Sequence, residues 1–227
     1  MRIAILADVH GNLPALEAVL NDVPAVDVFI CCGDVVGYYP DVKEVGARLR
    51  EINAFVVRGN HDAYVIGELD PDPTKLFAYR VDWTRSQLSG SHLRWLMTLP
   101  IELRFRWDNL SLIVRHASPW DEETYLYADS PDMAKVSLKK DEILVLGHTH
   151  HPMLIQAGNG VVLNPGSVGQ PRDWNPQASY AVLETRSRSI EHRRVSYNVT
   201  EFQRRLESLG WDEAMIRILS RQEKIGR

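Results

Sequence analysis

Five apolar residues, Ile3 to Ala7, run unbroken near the start of the chain and stop at Asp8-Val9-His10. The same figure recurs, and that recurrence is what most restricts the fold. The run Val26–Cys32 gives way to Gly33-Asp34-Val35-Val36-Gly37, and Phe55–Val57 to Gly59-Asn60-His61-Asp62. Further on, Ser111–His116 runs into Ala117-Ser118-Pro119, and Glu142–Leu146 into Gly147-His148-Thr149-His150. Between the first three runs lie Pro14–Val23 and Asp41–Ile52, whose apolar residues recur at helical spacing. Short strands alternating with helices predict βαβ units and a largely parallel sheet, hence an α/β fold. In open α/β sheets the ligand crevice lies at the carboxyl ends of the strands. Five separate segments therefore deliver Asp, His and Asn to one place.

Residues 62–100 offer no strand and read as a helical insertion, its start broken by Pro71 and Pro73, within a single domain spanning residues 1–227. That length suffices to bury a sizeable core. Beyond the insertion, Glu102–Trp107 and Ser111–His116 read as strands about an Asp108-Asn109 turn. Met153–Gln156 and Val161–Leu163 flank Ala157-Gly158-Asn159-Gly160, a hairpin-like signal. Ser179–Thr185 and Ser189–Tyr197 form a further pair. These later strands look antiparallel, which predicts two sheets. Thr200–Arg221 reads as an amphipathic helix or two, broken near Gly210. Asp41, Glu44 and Arg48 read as a solvated helix face, and Trp83 and Trp95 as core.

A net charge of −4 argues against broad attraction to nucleic acid or anionic lipid. The first apolar run is too short for a signal-peptide core, and no later run approaches a membrane span, so the reading is a cytoplasmic chain. Cys31 and Cys32 are adjacent, and a disulfide between them would be badly strained. They read as small apolar residues closing a buried strand in a reducing compartment.

Residues two apart in extended backbone point to the same side. That pairs Asp8 with His10, pairs His148 with His150, and turns His151 away. His10, His61, His116, His148 and His150 are five of the eight histidines, and all lie at strand ends beside Gly, Asp or Asn. His92 and His192 have no such company and read as surface. Asp62 reads as a helix cap or as a group orienting His61. The inventory of hard oxygen and imidazole donors suits manganese, iron or zinc better than calcium or a thiolate-bound metal.

In this order, DVH, GDVVG, GNHD, the histidine of RHASP, and GHTH resemble the signature of the calcineurin-like metallophosphoesterase superfamily, over Asp8 to His150. The loop Asn164–Arg172, and the insertion with its Trp83-Thr84-Arg85, are similar to the small bacterial and archaeal phosphodiesterase branch. The resemblance implies a four-layer α/β/β/α sandwich of two mixed sheets with two divalent transition metal ions at the loop ends. It places Asp8, His10 and His150 on the first metal, Asn60, His116 and His148 on the second, Asp34 between them, and His61 facing the leaving group. GDVVG lacks the GDxVDRG form of the protein serine/threonine phosphatases, which speaks against a phosphoprotein substrate.

A phosphoester anion repels hydroxide, and its leaving oxygen gains charge as the bond breaks. Two metals about 3.5–4 Å apart answer both problems, lowering the pKa of a bridging water and clamping the phosphoryl oxygens. His61, as an imidazolium, would stabilise or protonate the leaving oxygen. Arg58, Arg115 and Arg172 flank the motifs, and a guanidinium suits bidentate contact with phosphate. Arg172 is the one singled out as substrate-binding. The expected activity is hydrolysis of a small phosphodiester by hydroxide bridging two metals, with Asp34 and His61 as catalytic residues. A nucleotidase or dinucleoside-polyphosphate hydrolase stays open within the class, and a non-catalytic scaffold outside it. A homo-oligomer also stays open, whereas a nuclease sits poorly with the acidic balance.

Overall fold

A computed structural model describes residues 1–222. β1 (Arg2–Leu6), α1 (Leu13–Asp22), β2 (Val28–Cys31), α2 (Val42–Glu51) and β3 (Phe55–Val56) alternate as the periodicity predicts. β1 pairs in parallel with β2, and β2 with β3. From Ile3 onward β1 is apolar because both faces are covered there, and only Arg2 at its start is exposed. Ile3, Ile5 and Ala7 join the cluster between the sheets, and Leu6 packs under the helices. α1 starts at Asn12, whose side chain accepts from the Ala15 amide at 3.1 Å, with Pro14 in the first turn where its missing N–H costs nothing.

Four helices follow: α3 (Asn60–Ile66), α4 (Leu76–Tyr79), α5 (Val81–Gln87) and α6 (Gly90–Met97). Then come β4 (Leu103–Trp107), β5 (Leu110–Val114), a 3-10 turn at Pro131–Lys135, β6 (Glu142–Val145), β7 (Pro152–Ala157), β8 (Gly160–Pro165), β9 (Ala178–Glu184) and β10 (Ser189–Val195). α7 (Val199–Ser208) and α8 (Glu213–Arg217) close the described chain. Asp108 and Asn109, the turn between β4 and β5, both take the left-handed conformation that a two-residue hairpin favours, at φ 47° and 63°.

The strands form two mixed sheets, ordered β10-β9-β1-β2-β3 and β4-β5-β6-β8-β7. The later strands, which read as antiparallel in the sequence, are not all so. β6 lies parallel to both β5 and β8, because the long 115–141 crossover replaces a hairpin. The β9–β10 hairpin leaves the second sheet and extends the first, antiparallel to β1. Between the sheets pack Ile3, Ile5, Ile30, Leu112, Val114, Val145, Leu163 and Leu183. Each such side chain contributes roughly 1.5–3 kcal/mol by leaving water. Helices cover the outer face of the first sheet, and the segment carrying Leu126, Met133 and Val136 covers the second.

Asp41 differs from its sequence reading. It is buried and pairs with Arg205 of α7 at 2.9 Å, because the C-terminal helices pack over the start of α2. Trp83 meets Trp211 edge-to-face at 4.9 Å, and Trp95 lies against Gly46, as core residues would. Cys31 and Cys32 are free and buried, and burial pushes both thiols up. Among the described residues no helix is long and apolar enough to cross a membrane.

Candidate metal centre

The loop ends after β1, β2, β5 and β6 meet at the edge of the sandwich. Backbone bonds from Asp8 to Gly33, His10 to Asp34 and Gly11 to Val35 carry the β1–β2 pairing into the loops. Asp8, His10, Asp34, His148 and His150 all have positive φ, between 51° and 66°. The pairs two apart therefore do not converge through extended backbone, as their spacing suggested. Left-handed residues turn the chain inward at each of them, a conformation that costs roughly 1–2 kcal/mol per non-glycine residue. Strain of this kind persists only where the surrounding structure enforces it, and it collects at functional sites.

Ligand atoms of Asp8, His10, Asp34 and His150 lie within 4.8 Å of one another, as do those of Asp34, His116 and His148. Asp34 belongs to both groups. Its Oδ2 is 3.5 Å from His10 Nε2 and 3.3 Å from His116 Nε2, while its Oδ1 accepts the His61 amide at 2.9 Å. Asn60 Oδ1 stands 3.0 Å from His116 Nε2. The Asp8 carboxylate accepts the His148 amide at 3.0 and 3.1 Å and lies 3.5 Å from His150 Nε2.

Each imidazole is oriented by a backbone carbonyl. Nδ1 of His10, His116 and His150 donates to Val36 (3.1 Å), Cys32 (2.6 Å) and Gln170 (2.6 Å). A carbonyl only accepts, so each ring turns Nε2 toward the ligand group; His10 and His150 keep a lone pair there, and His116 frees one on losing a proton. His148 is reversed: Nε2 donates to the Glu123 carbonyl at 2.9 Å, leaving Nδ1 free. His10 Nε2 and His150 Nε2 then face each other at 3.1 Å with both outer nitrogens committed. Two buried lone pairs at that distance repel unless a cation or proton lies between them. The donor set, two carboxylates, an amide and four imidazoles, fits divalent transition metals.

The electrostatics agree. Burial presses His10 down to about 4, His148 to about 3, and His150 well below its ordinary value, so these rings stay neutral and able to bind a cation. Burial pushes Asp8 up to about 7. Burial also opposes charge on Asp34 and His116, but each stabilises the other: His116 rises to about 10, and Asp34 is held well below the usual carboxylate range.

His61 sits beside this group, its ring 4.8 Å from that of His10, walled by Tyr38 (4.6 Å) and Tyr79 (4.4 Å). Its Nδ1 is buried without a hydrogen bond and faces Gly37, where an added Cβ would lie 2.5 Å away. Asp62 does not touch the His61 ring. It accepts the amides of Val35 and Val36 (3.1 Å each) and of Gly59 (3.0 Å), tying the β2 loop to the start of α3.

Arg172 reaches the mouth of the site, donating to Tyr38 Oη at 3.0 Å and Gln170 Oε1 at 2.8 Å, both neutral partners. Arg58 and Arg115 are committed elsewhere: Arg58 to Glu68 and Glu122, Arg115 to the Pro119 carbonyl and Glu102. The Asn164–Arg172 loop anchors the first strand's end, with Ser167 Oγ donating to the Asp8 carbonyl at 2.8 Å and Asn12 Nδ2 to the Gly169 carbonyl at 2.8 Å. His151 lies outside the ligand group, its ring 5.4 Å from Tyr127. His192 is not simply surface: it is half-buried and bonds the Asn164 carbonyl at 2.7 Å. Sequence reasoning missed Tyr38, Tyr79, Glu123 and Tyr125, the last stacked on His148 at 3.9 Å. Only the Tyr38-Tyr39 pair directly after GDVVG offered a signal.

Residues 1–188 match the calcineurin-like phosphoesterase superfamily domain. An uncharacterized protein of Methanocaldococcus jannaschii is 33% identical over 215 residues, covering 87% of this chain and 88% of that one. Phosphodiesterase YfcE of Escherichia coli is 28% identical over 199 residues, covering 81% and 88%. A crystal structure of a metallophosphoesterase from Sphaerobacter thermophilus superposes with a TM-score of 0.82 at 32% identity, over 97% of this chain and 99% of that one.

Proposed function

The chain belongs to the calcineurin-like phosphoesterase superfamily, and from that premise we propose that it is a binuclear metal-dependent phosphodiesterase acting on a small phosphorylated substrate. The observation that carries this reading is the set of four imidazoles, each tied by one nitrogen to a backbone carbonyl and turned by the other toward Asp34 or Asp8. Asp8, His10 and His150 would hold one ion, Asn60, His116 and His148 the other, and Asp34 both. Divalent manganese, iron or zinc bound there supplies Lewis acidity, which acidifies water and offsets phosphoryl charge.

The remaining chemistry belongs to side chains. Arg172, with only neutral partners, binds a phosphoryl oxygen. His61 faces the leaving group and hydrogen-bonds its oxygen as the ester bond breaks. Tyr38 and Tyr79 close the far side of His61 and keep bulk water from it. The helices of residues 62–100 act as a cap over that side, since Tyr64 and Tyr79 both belong to them. Two free, buried, adjacent cysteines suit a cytoplasmic protein.

The experiment is hydrolysis of bis(p-nitrophenyl) phosphate and p-nitrophenyl phosphate by metal-stripped protein, with manganese, zinc, iron or magnesium restored in turn. Metal-dependent turnover that favours the diester, and that falls at least about 100-fold in Asp34→Asn, is the expected result. No turnover of either ester by folded protein with metals bound would overturn the assignment.

A further inference from the structure

The loop from Ala117 to Tyr127 hangs by side chains on α3 and on the turn that leads into it. Arg58 donates to the Glu122 carboxylate at 3.1 and 3.2 Å. Next to it, the Tyr64 hydroxyl of α3 donates to the Glu123 carboxylate at 2.5 Å. Glu123 in turn offers its backbone carbonyl to His148 Nε2 at 2.9 Å, the contact that frees Nδ1 of that ring. One buried phenol thus holds the residue whose carbonyl orients His148, from the same helix whose first residue is Asn60. His10 and His150 are held elsewhere, by the carbonyls of Val36 and Gln170.

We propose that Tyr64 is a positioning residue for the second metal ion, acting through Glu123 on His148, so that the helical segment sets the occupancy of one site and not the other. The proposal rests on the reading of Asn60, His116 and His148 as ligands. Groups behind a metal's ligands fix ring orientation and tautomer, and their loss lowers metal affinity by about 10–100-fold. Tyr64→Phe removes only the hydroxyl and keeps the ring that stacks on Tyr79 at 5.9 Å.

The test is manganese(II) titration of the metal-stripped full-length protein, followed by electron paramagnetic resonance, which separates free, single and spin-coupled ions. Wild type binding two ions with a coupled signal upholds the ligand reading; fewer than two overturns that reading and this proposal with it. Tyr64→Phe is expected to bind the first ion as wild type does and the second at least about tenfold more weakly. Single-ion signal then persists where wild type is already coupled. Glu123→Ala should reproduce this, and Glu123→Gln, which keeps an acceptor, should restore near-wild-type binding. Second-ion affinity within twofold of wild type, or equal weakening of both ions, would overturn the proposal. Should Tyr64→Phe lose its fold by circular dichroism, the Glu123 pair decides alone.

Discussion

Asn12 joins the first helix to the loop that fixes the first strand's end, and its removal allows a worked magnitude. Its carbonyl oxygen accepts the Ala15 amide at 3.1 Å, and its amide donates to the Gly169 carbonyl at 2.8 Å and to Tyr197 Oη at 3.1 Å. The side chain is fully buried. Asn12→Ala loses an N-cap, about 1 kcal/mol. It also strands a buried carbonyl, about 1–3 kcal/mol. The tyrosine hydroxyl adds little, because it can rotate to another partner. The sum is about 2–4 kcal/mol, or very roughly 5–15 °C in Tm for a chain of this size. Asn12→Ser keeps a capping oxygen but cannot reach Gly169, so it should recover about 1 kcal/mol of the loss. Urea unfolding of the metal-free protein, followed by far-ultraviolet circular dichroism, measures both. A loss below about 0.5 kcal/mol for alanine, or a serine variant no better than alanine, would refute this account of the junction.

Gly59→Ala would place a Cβ 2.1 Å from Asp34 Oδ1 and 2.3 Å from Asp34 N, so hydrolysis should fall at least about 100-fold as the shared carboxylate is displaced. Gly67→Ala, at φ 79° with nothing within 4 Å of its Cβ, should instead cost about 1–2 kcal/mol of stability and leave kcat unchanged. His116, raised to about 10, is protonated at neutral pH and must lose that proton to bind a cation. Metal affinity should therefore rise up to about tenfold per pH unit from pH 7 toward 10. Calorimetry in buffers of different ionisation enthalpy should find about one proton released through His116, absent in His116→Gln.

Much of the site was legible because its side chains stand next to glycines at the ends of strands buried on both faces, where polar residues need a reason. The Asp108-Asn109 turn was legible for a similar local cause, since both residues tolerate the left-handed conformation. The convergence of Asp8 with His10 was foreseen for the wrong reason, an extended backbone, because periodicity says nothing about φ. Asp41 looked solvated because its partner, Arg205, is 164 positions away. Glu123 was invisible for a deeper reason: it acts on His148 through its backbone carbonyl, which every residue possesses. The parallel placement of β6 depends on where a long crossover returns, and its ends carry no mark of that.

The left-handed backbone at Asp8, His10, Asp34, His148 and His150 has a consequence for how such a chain can change over generations. At roughly 1–2 kcal/mol apiece, these five conformations together withhold on the order of 5–10 kcal/mol, comparable to the whole net stability of a typical domain. Glycine or asparagine at any of them would relieve part of that strain while weakening the chemistry. A lineage released from its reaction can thus become sturdier by the same substitutions that silence it.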